Sequence, residues 1–345
     1  MDKLLSFQEV LTKVKNNKQG KKIKPHLLLG NGFSRACRND IFAYDALFNQ
    51  ADFSSFSPNI KTAFEKLTTT DFEVVMQALC RASILVSVYN PENTSLINTF
   101  EKDCDGLREL LAKTIADNHP SRPSDIPIEK YIACKFFLSH FNRIYTLNYD
   151  LLLYWTLMQD EIKPLVKADD GFRDPPYLKS DYVTWEVTNS DSQNIYYLHG
   201  ALHLFDDGAE LKKFTWNNTK IALIDQIRKA LKQNMYPLIV AEGASPDKLN
   251  KINHSNYLSR CYRSFSGIGG ALFIYGHSMA ENDEHLIKLI GQGKVTQLFI
   301  SIYGDPSSQQ NKYIINRAYA LHSQRKEDET LELYFYDAST AKVWG

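Results

Sequence analysis

The 345-residue sequence has no surplus of charge of either sign: 40 Lys and Arg stand against 40 Asp and Glu. A general nucleic-acid binder carries a basic excess, so no direct nucleic-acid binding is expected. Cysteine is scarce. Cys37, Cys80, Cys104, Cys134 and Cys261 are scattered, with no Cys-x-x-Cys pair, which excludes a zinc ribbon or a thioredoxin-type dithiol built from close pairs. The N-terminal Met1-Asp2-Lys3-Leu4-Leu5-Ser6-Phe7-Gln8-Glu9 is broken by acidic residues and leads into no apolar core, unlike a secretory signal. An odd number of thiols without a leader fits a cytoplasmic location. No apolar run approaches the ~18 residues of a membrane span, and no membrane association is expected. Also missing are a Gly-x-x-x-x-Gly-Lys-Ser/Thr loop, which argues against a P-loop ATPase, a Gly-x-Ser-x-Gly nucleophile elbow, and the Asp-x-His strand end of a metallophosphoesterase.

What is present suits a globular chain with a real core. Hydrophobic residues make up 43% and charged residues 23%, a balance that excludes chain-wide disorder. Short apolar runs recur at 26–29, 143–147, 195–198, 237–241, 271–275, 297–303 and 331–336. Several are continuous rather than alternating, as in parallel strands covered on both faces. Helical stripes separate many of them, at 221–231 and at 281–290, the latter stopping at Gly291. Strands alternating with helices predict an α/β layer fold with a mostly parallel sheet and helices on both faces.

Two stretches interrupt the alternation. Residues 40–140 carry mostly helical signals, including a capping box with Thr70 as N-cap and Glu73 reaching back. They predict a helical insertion packed on the sheet within one domain spanning 1–345. Residues 163–194, with Pro164, Pro175 and Pro176, predict an irregular loop insertion.

Four strand ends carry polar groups. The first is Gly30-Asn31-Gly32-Phe33-Ser34. Its glycines allow close approach to a pyrophosphate, and Ser34 could cap the following helix. The third glycine of the dinucleotide fingerprint is replaced by Arg35. The second is Asn148-Tyr149-Asp150. Side chains alternate along a strand, so Asn148 and Asp150 should share a side, able to hold a ribose diol or orient a water. The third is His199-Gly200, where the imidazole suits a general base. His203, four residues on, has the spacing of a metal pair on a helix but not the acidic context. The fourth is Gly276-His277-Ser278, with Ser278 and Glu281 forming a capping box. In open α/β sheets ligands bind beyond the carboxyl ends of the strands, so all four should surround one pocket.

Taken in order, Gly30-Asn31-Gly32-Phe33-Ser34, Thr146-Leu147-Asn148-Tyr149-Asp150, Leu198-His199-Gly200 and Gly276-His277-Ser278 with Asp283 resemble the sirtuin-like superfamily. More narrowly, the chain is similar to bacterial sirtuin-like NAD hydrolases of antiphage defence. It also resembles a sub-family long described only as a domain of unknown function. The residues shared with it include Asp71-Phe72-Glu73, His199 to Leu204, Glu242-Gly243 to Tyr257-Leu258, and Asn282-Asp283-Glu284-His285. The resemblance implies a Rossmann-like sheet that binds NAD, with Asn148 and His199 as the catalytic pair and Asp150 assisting them or shaping the loop. It implies that Gly30, Asn31, Gly32, Phe33 and Ser34 take the diphosphate, and that Gly276, His277, Ser278 and Asp283 line the adenosine side. Asn31 departs from the usual sirtuin Ala. The four-cysteine zinc module of protein-deacylating sirtuins is missing, which argues for hydrolysis of NAD itself, as substrate, with no metal. By the same resemblance the chain would act as an abortive-infection effector. Its off state would come from a homo-oligomer or from a partner ATPase of a defence locus. A non-catalytic NAD or ADP-ribose sensor and an ADP-ribosyltransferase remain alternatives at this point.

Overall fold

The computed structural model describes residues 4–15, 24–175, 180–189, 191–241, 243–325 and 331–345. Pro176 and Glu242, singled out in the sequence, lie outside the described residues, as do Met1 to Lys3.

Ten strands occur among the described residues: β1 (His26–Leu29), β2 (Ile144–Thr146), β3 (Phe172–Arg173), β4 (Tyr182–Trp185), β5 (Ile195–Tyr197), β6 (Leu204–Asp206), β7 (Leu211–Phe214), β8 (Gly269–Tyr275), β9 (Lys294–Ile302) and β10 (Glu332–Asp337). Six of them form one sheet in the order β10-β9-β8-β1-β2-β5, with every pairing parallel. In chain order this is 6-5-4-1-2-3, the doubly wound Rossmann order, with its reversal between β1 and β8. All residues of β1, β2 and β5 are buried, the physical reason for their unbroken apolar runs.

Helices cover both faces of this sheet. On one face Phe273 of β8 packs against Phe7 and Phe141, at ring centroid distances of 6.0 and 5.4 Å. Phe7 lies in the helix Phe7–Thr12 and also meets Phe137 of the helix Ile128–Leu138. Tyr145 of β2 is in register with Leu28 and hence with Ile274, one residue along from Phe273, so it faces the other way. There it stacks on Tyr196 at 4.8 Å and meets Phe265 of the helix Asn256–Ser266. Between β1 and β2 the regular elements are all helical, chiefly Phe72–Tyr89 and Thr94–Asn118, which pack on one another.

Several elements differ from the sequence reading. The run 237–241 is not a strand. It makes one antiparallel bridge, Gly200 to Ile239, because it crosses the loop after β5 instead of joining a sheet edge. The stretch 163–194 is not irregular throughout: β3 and β4 join β7 and β6 in a second, antiparallel sheet ordered β3-β4-β7-β6. The partner strand β7 lies beyond residue 210, so no local pattern marks the pairing. Helix Phe72–Tyr89 is capped by Asp71, whose side chain accepts the Glu73 N–H at 2.9 Å, and not by Thr70. The same helix, with mean hydropathy 1.4, is long and apolar enough to cross a membrane, contrary to the expectation that no run is. Phe72, Val75, Met76 and Leu79 bury one side of it in the core. The stripe at 281–290 becomes a 3-10 turn, Glu281–Asp283, followed by the helix Glu284–Gln292, which runs through Gly291 and ends at Gly293.

Candidate functional site

The reversal of strand order puts two glycine turns back to back. The Gly32 N–H donates to the Gly276 carbonyl at 2.8 Å, and the Gly30 N–H to the Tyr275 carbonyl at 3.0 Å. Gly276 has φ of +67°, and a Cβ on it would fall 2.6 Å from the Gly32 Cα. The glycines are therefore required for the turns to touch, whatever else they approach. Gly30, Asn31 and Gly32 line a cavity of about 780 Å3 with Gly276, His277 and Ser278. Phe33 and Ser34, expected with them in the first turn, do not border it. Phe33 is buried against Trp344, whose Nε1–H donates to the Phe33 carbonyl at 2.8 Å. Ser34 lies inside the six-residue helix Gly32–Cys37 and caps nothing. Ser278 likewise makes no cap, since Ala280 precedes the 3-10 turn without a side-chain bond.

Beyond β2, Asn148 and Asp150 do project to one side, and Ser34 joins them. The Asn148 Nδ2–H donates to Ser34 Oγ at 2.7 Å, and the Ser34 hydroxyl donates to Asp150 Oδ2. Asp150 Oδ1 accepts the Leu152 N–H at 2.8 Å, so each of its oxygens holds one hydrogen bond, and the residue lines the cavity. Burial pushes its carboxyl above the usual range. Its place in the arrangement is to fix Ser34, and Ser34 fixes the Asn148 amide, leaving Asn148 Oδ1 as that amide's acceptor.

Beyond β5, the loop carrying His199 is clamped by the segment that failed to become a strand. The Val240 N–H donates to the His199 carbonyl at 2.9 Å, and the Ala201 N–H to the Leu238 carbonyl at 3.0 Å. A Cβ on Gly200, at φ +76°, would lie 1.9 Å from the Leu238 carbonyl oxygen, so only glycine lets the two segments cross. The His199 Nε2 lies 3.2 Å from the His285 Nε2, and the rings are nearly parallel. Burial and the Lys248 ammonium hold His199 well below the ordinary histidine value, so the imidazole is neutral. His203 sits on no helix and does not line the cavity. It packs fully buried between Tyr154 and Tyr197, so it forms no pair with His199.

A buried charge network underlies the His199 side. Lys248 is 1% exposed. Its ammonium donates to Glu73 Oε2 at 2.7 Å and to Asp283 Oδ1 at 2.9 Å. Burial opposes that charge, but Asp283 and Glu73 together hold it above the ordinary lysine value. Asp283 is buried too, which alone would raise it, yet Lys248 and the His277 hydrogen bond hold its carboxyl well below the usual range. His277 accepts the Met279 N–H on Nδ1 at 3.0 Å, so its Nε2–H donates to Asp283 Oδ2 at 2.9 Å. Glu73 also accepts from Asn282 Nδ2 and Tyr149 Oη. By donor type alone His199, Asp283 and His285, whose atoms lie within 4.8 Å of one another, could hold a metal. The Lys248 ammonium already neutralises Asp283, and a dication there would face that fixed positive charge.

Thus the cavity gathers Gly30, Asn148, His199 and Gly276, as four converging strand ends require. It also gathers groups to which the sequence reading gave no role. Asp71 and Tyr44 line it, and burial with the Glu73 charge pushes the Asp71 carboxyl up to about 7. Asp71, Glu73 and His285 belonged to recognised motifs without a function attached. Lys248 lay within the recognised stretch from Glu242 to Leu258 but drew no role of its own, because nothing in Ser245-Pro246-Asp247-Lys248 differs from a solvated helix start.

No curated protein matches the chain. Thirteen chains of solved structures do. One, from a study titled "Structural Basis for the Mechanism and Regulation of Sir2 Enzymes", is 12% identical, with a TM-score of 0.36 over 97% of this chain and 91% of that one. The family model described as "Domain of unknown function (DUF4917)" matches residues 27–344, and the chain belongs to that family.

Proposed function

We propose that the chain is an NAD glycohydrolase, cleaving NAD to nicotinamide and ADP-ribose. The observation that carries this reading is the meeting of Asn148 and His199, from adjacent strand ends, with the paired glycine turns in one cavity at the reversal of strand order. Its volume of about 780 Å3 falls within the ~300–1,000 Å3 of small-molecule sites. In this reading the dinucleotide lies across the glycine turns, with its adenosine side toward Gly276, His277 and Ser278. The nicotinamide ribose lies between Asn148 and His199. Nicotinamide leaves C1′ through an oxocarbenium-like transition state. Asn148 Oδ1 accepts from the attacking water, and neutral His199 takes a proton from a ribose hydroxyl. Such acid–base assistance is worth roughly 10²–10⁴ in rate. Depletion of NAD is the action an abortive-infection effector would need, and an oligomeric switch or a partner ATPase would restrain it. The test is incubation of the full chain with NAD, following nicotinamide and ADP-ribose by chromatography. Release of both in equal amounts is expected. Binding of NAD without turnover would instead make the chain a sensor.

A further inference from the structure

His199 is poorly placed to keep a proton. Around it stand Lys248, Asp283, His277 and His285, from the helix Ser245–His254, the turn Glu281–Asp283, the loop after β8 and the helix Glu284–Gln292. An imidazolium at His199 would sit buried beside the Lys248 ammonium, with Asp283 Oδ1 3.8 Å from its Nε2 but already shared between Lys248 and His277. A base in that position needs somewhere to pass its charge.

The geometry points to His285 as that place. We propose that His285 is a positioning and relay residue for His199, and that Ser245, His285 and His199 form one chain of proton transfer ending at the cavity. Three contacts define it. His199 Nε2 faces His285 Nε2 at 3.2 Å. His285 Nδ1 faces Ser245 Oγ at 3.1 Å. Ser245 Oγ also accepts the His285 backbone N–H at 2.7 Å, which pins the start of that helix to the hydroxyl. Because Nε2 is committed to His285, a proton from a cavity ligand arrives at His199 Nδ1. The step balances as follows. The ligand O–H bond breaks and a proton bonds to His199 Nδ1. The proton on His199 Nε2 passes to His285 Nε2, so His199 ends neutral in its other tautomer. His285 becomes the imidazolium, and its Nδ1–H donates to Ser245 Oγ. The positive charge then lies one ring further from the ligand. Burial lowers His285 to about 4, while the Asp283 carboxylate favours its charged form.

One consequence needs no activity. A single hydrogen between two facing Nε2 atoms requires one neutral ring to be protonated at Nε2 and the other at Nδ1. Two-dimensional ring ¹⁵N spectra of the ¹⁵N-histidine-labelled full chain near pH 7, assigned with His285→Gln and His199→Gln, should show His285 in the Nδ1–H form and His199 in the Nε2–H form. His199 in the Nδ1–H form, or two Nε2–H rings, would overturn the relay. The catalytic arm rests on the proposed NAD cleavage. His285→Gln can still hydrogen-bond to His199 but cannot take up a proton. It should lower kcat on the order of tenfold or more while leaving KM for NAD and the melting temperature near wild type. A His285→Gln variant with wild-type kcat would sink the relay. If wild-type protein does not cleave NAD at all, the functional reading fails, and the spectra still decide the relay.

Discussion

The two halves of the cavity wall are built by different means. Around Gly30, Gly32 and Gly276 the wall is backbone, held by amide hydrogen bonds between turns that follow neighbouring strands. Asn148 and Asp150 extend it with side chains, joined behind the wall by Ser34 into one neutral-to-anionic hydrogen-bond chain. Around His199 the wall is charge. Glu73, Lys248, Asp283, His277 and His285 come from segments far apart in sequence and are buried together. A backbone wall tolerates few side chains but gives a ligand a fixed shape. A charged wall sets the protonation of the groups it holds, at the cost of depending on every partner being present.

If that contrast is right, the largest effect belongs to the charged half. Lys248→Met should destabilise the chain by about 3–5 kcal/mol, because Glu73 and Asp283 would be left as buried charges without their cation. Urea unfolding of the two proteins checks this, and a loss under 1 kcal/mol would mean the network is not closed as described.

The next effect separates chemistry from packing. Asn148→Ala and His199→Ala should each lower NAD cleavage by roughly 10²–10⁴ with little change in melting temperature. His203→Ala should do the reverse. Its ring is fully buried between Tyr154 and Tyr197, so its removal leaves a cavity costing on the order of 2–4 kcal/mol while turnover persists. Measuring nicotinamide release and melting on the same preparations compares the three.

The last effect concerns Asp71 and appears only as pH changes. Its carboxyl is raised in the fold to about 7, from the ~3.9 of an unfolded chain. The folded state therefore binds that proton more tightly, and the stabilisation is lost as pH rises from about 4 to about 7. Asp71→Asn should remove this slope. Melting temperatures of the two proteins should diverge across that window in the direction of a relatively weaker wild type at neutral pH. Parallel curves would place the Asp71 proton elsewhere.

How much of this was legible beforehand follows the same division. The runs at β1, β2, β5, β8, β9 and β10 could be read because a strand covered on both faces must be apolar throughout. The glycine turns and Asn148 could be read because they follow those strands within a few residues. The residues at 237–241 misled because an apolar extended segment looks the same whether it enters a sheet or crosses a loop. Asp150 and Ser34 were recognised as residues, but not their hydrogen bond to each other, since a sequence does not show which polar groups pair across 116 positions.

The sequence by itself determined the layered α/β architecture, the parallel sheet and the edge at which polar residues gather, because each depends on periodicity and on chemistry local to a strand end. Only the tertiary structure decided that Lys248 neutralises Asp283 and Glu73, that His285 faces His199, and that Gly200 must yield to Leu238. Those contacts join residues 35 to 175 positions apart. Their energies come from burial and charge pairing, which exist only once the chain has closed.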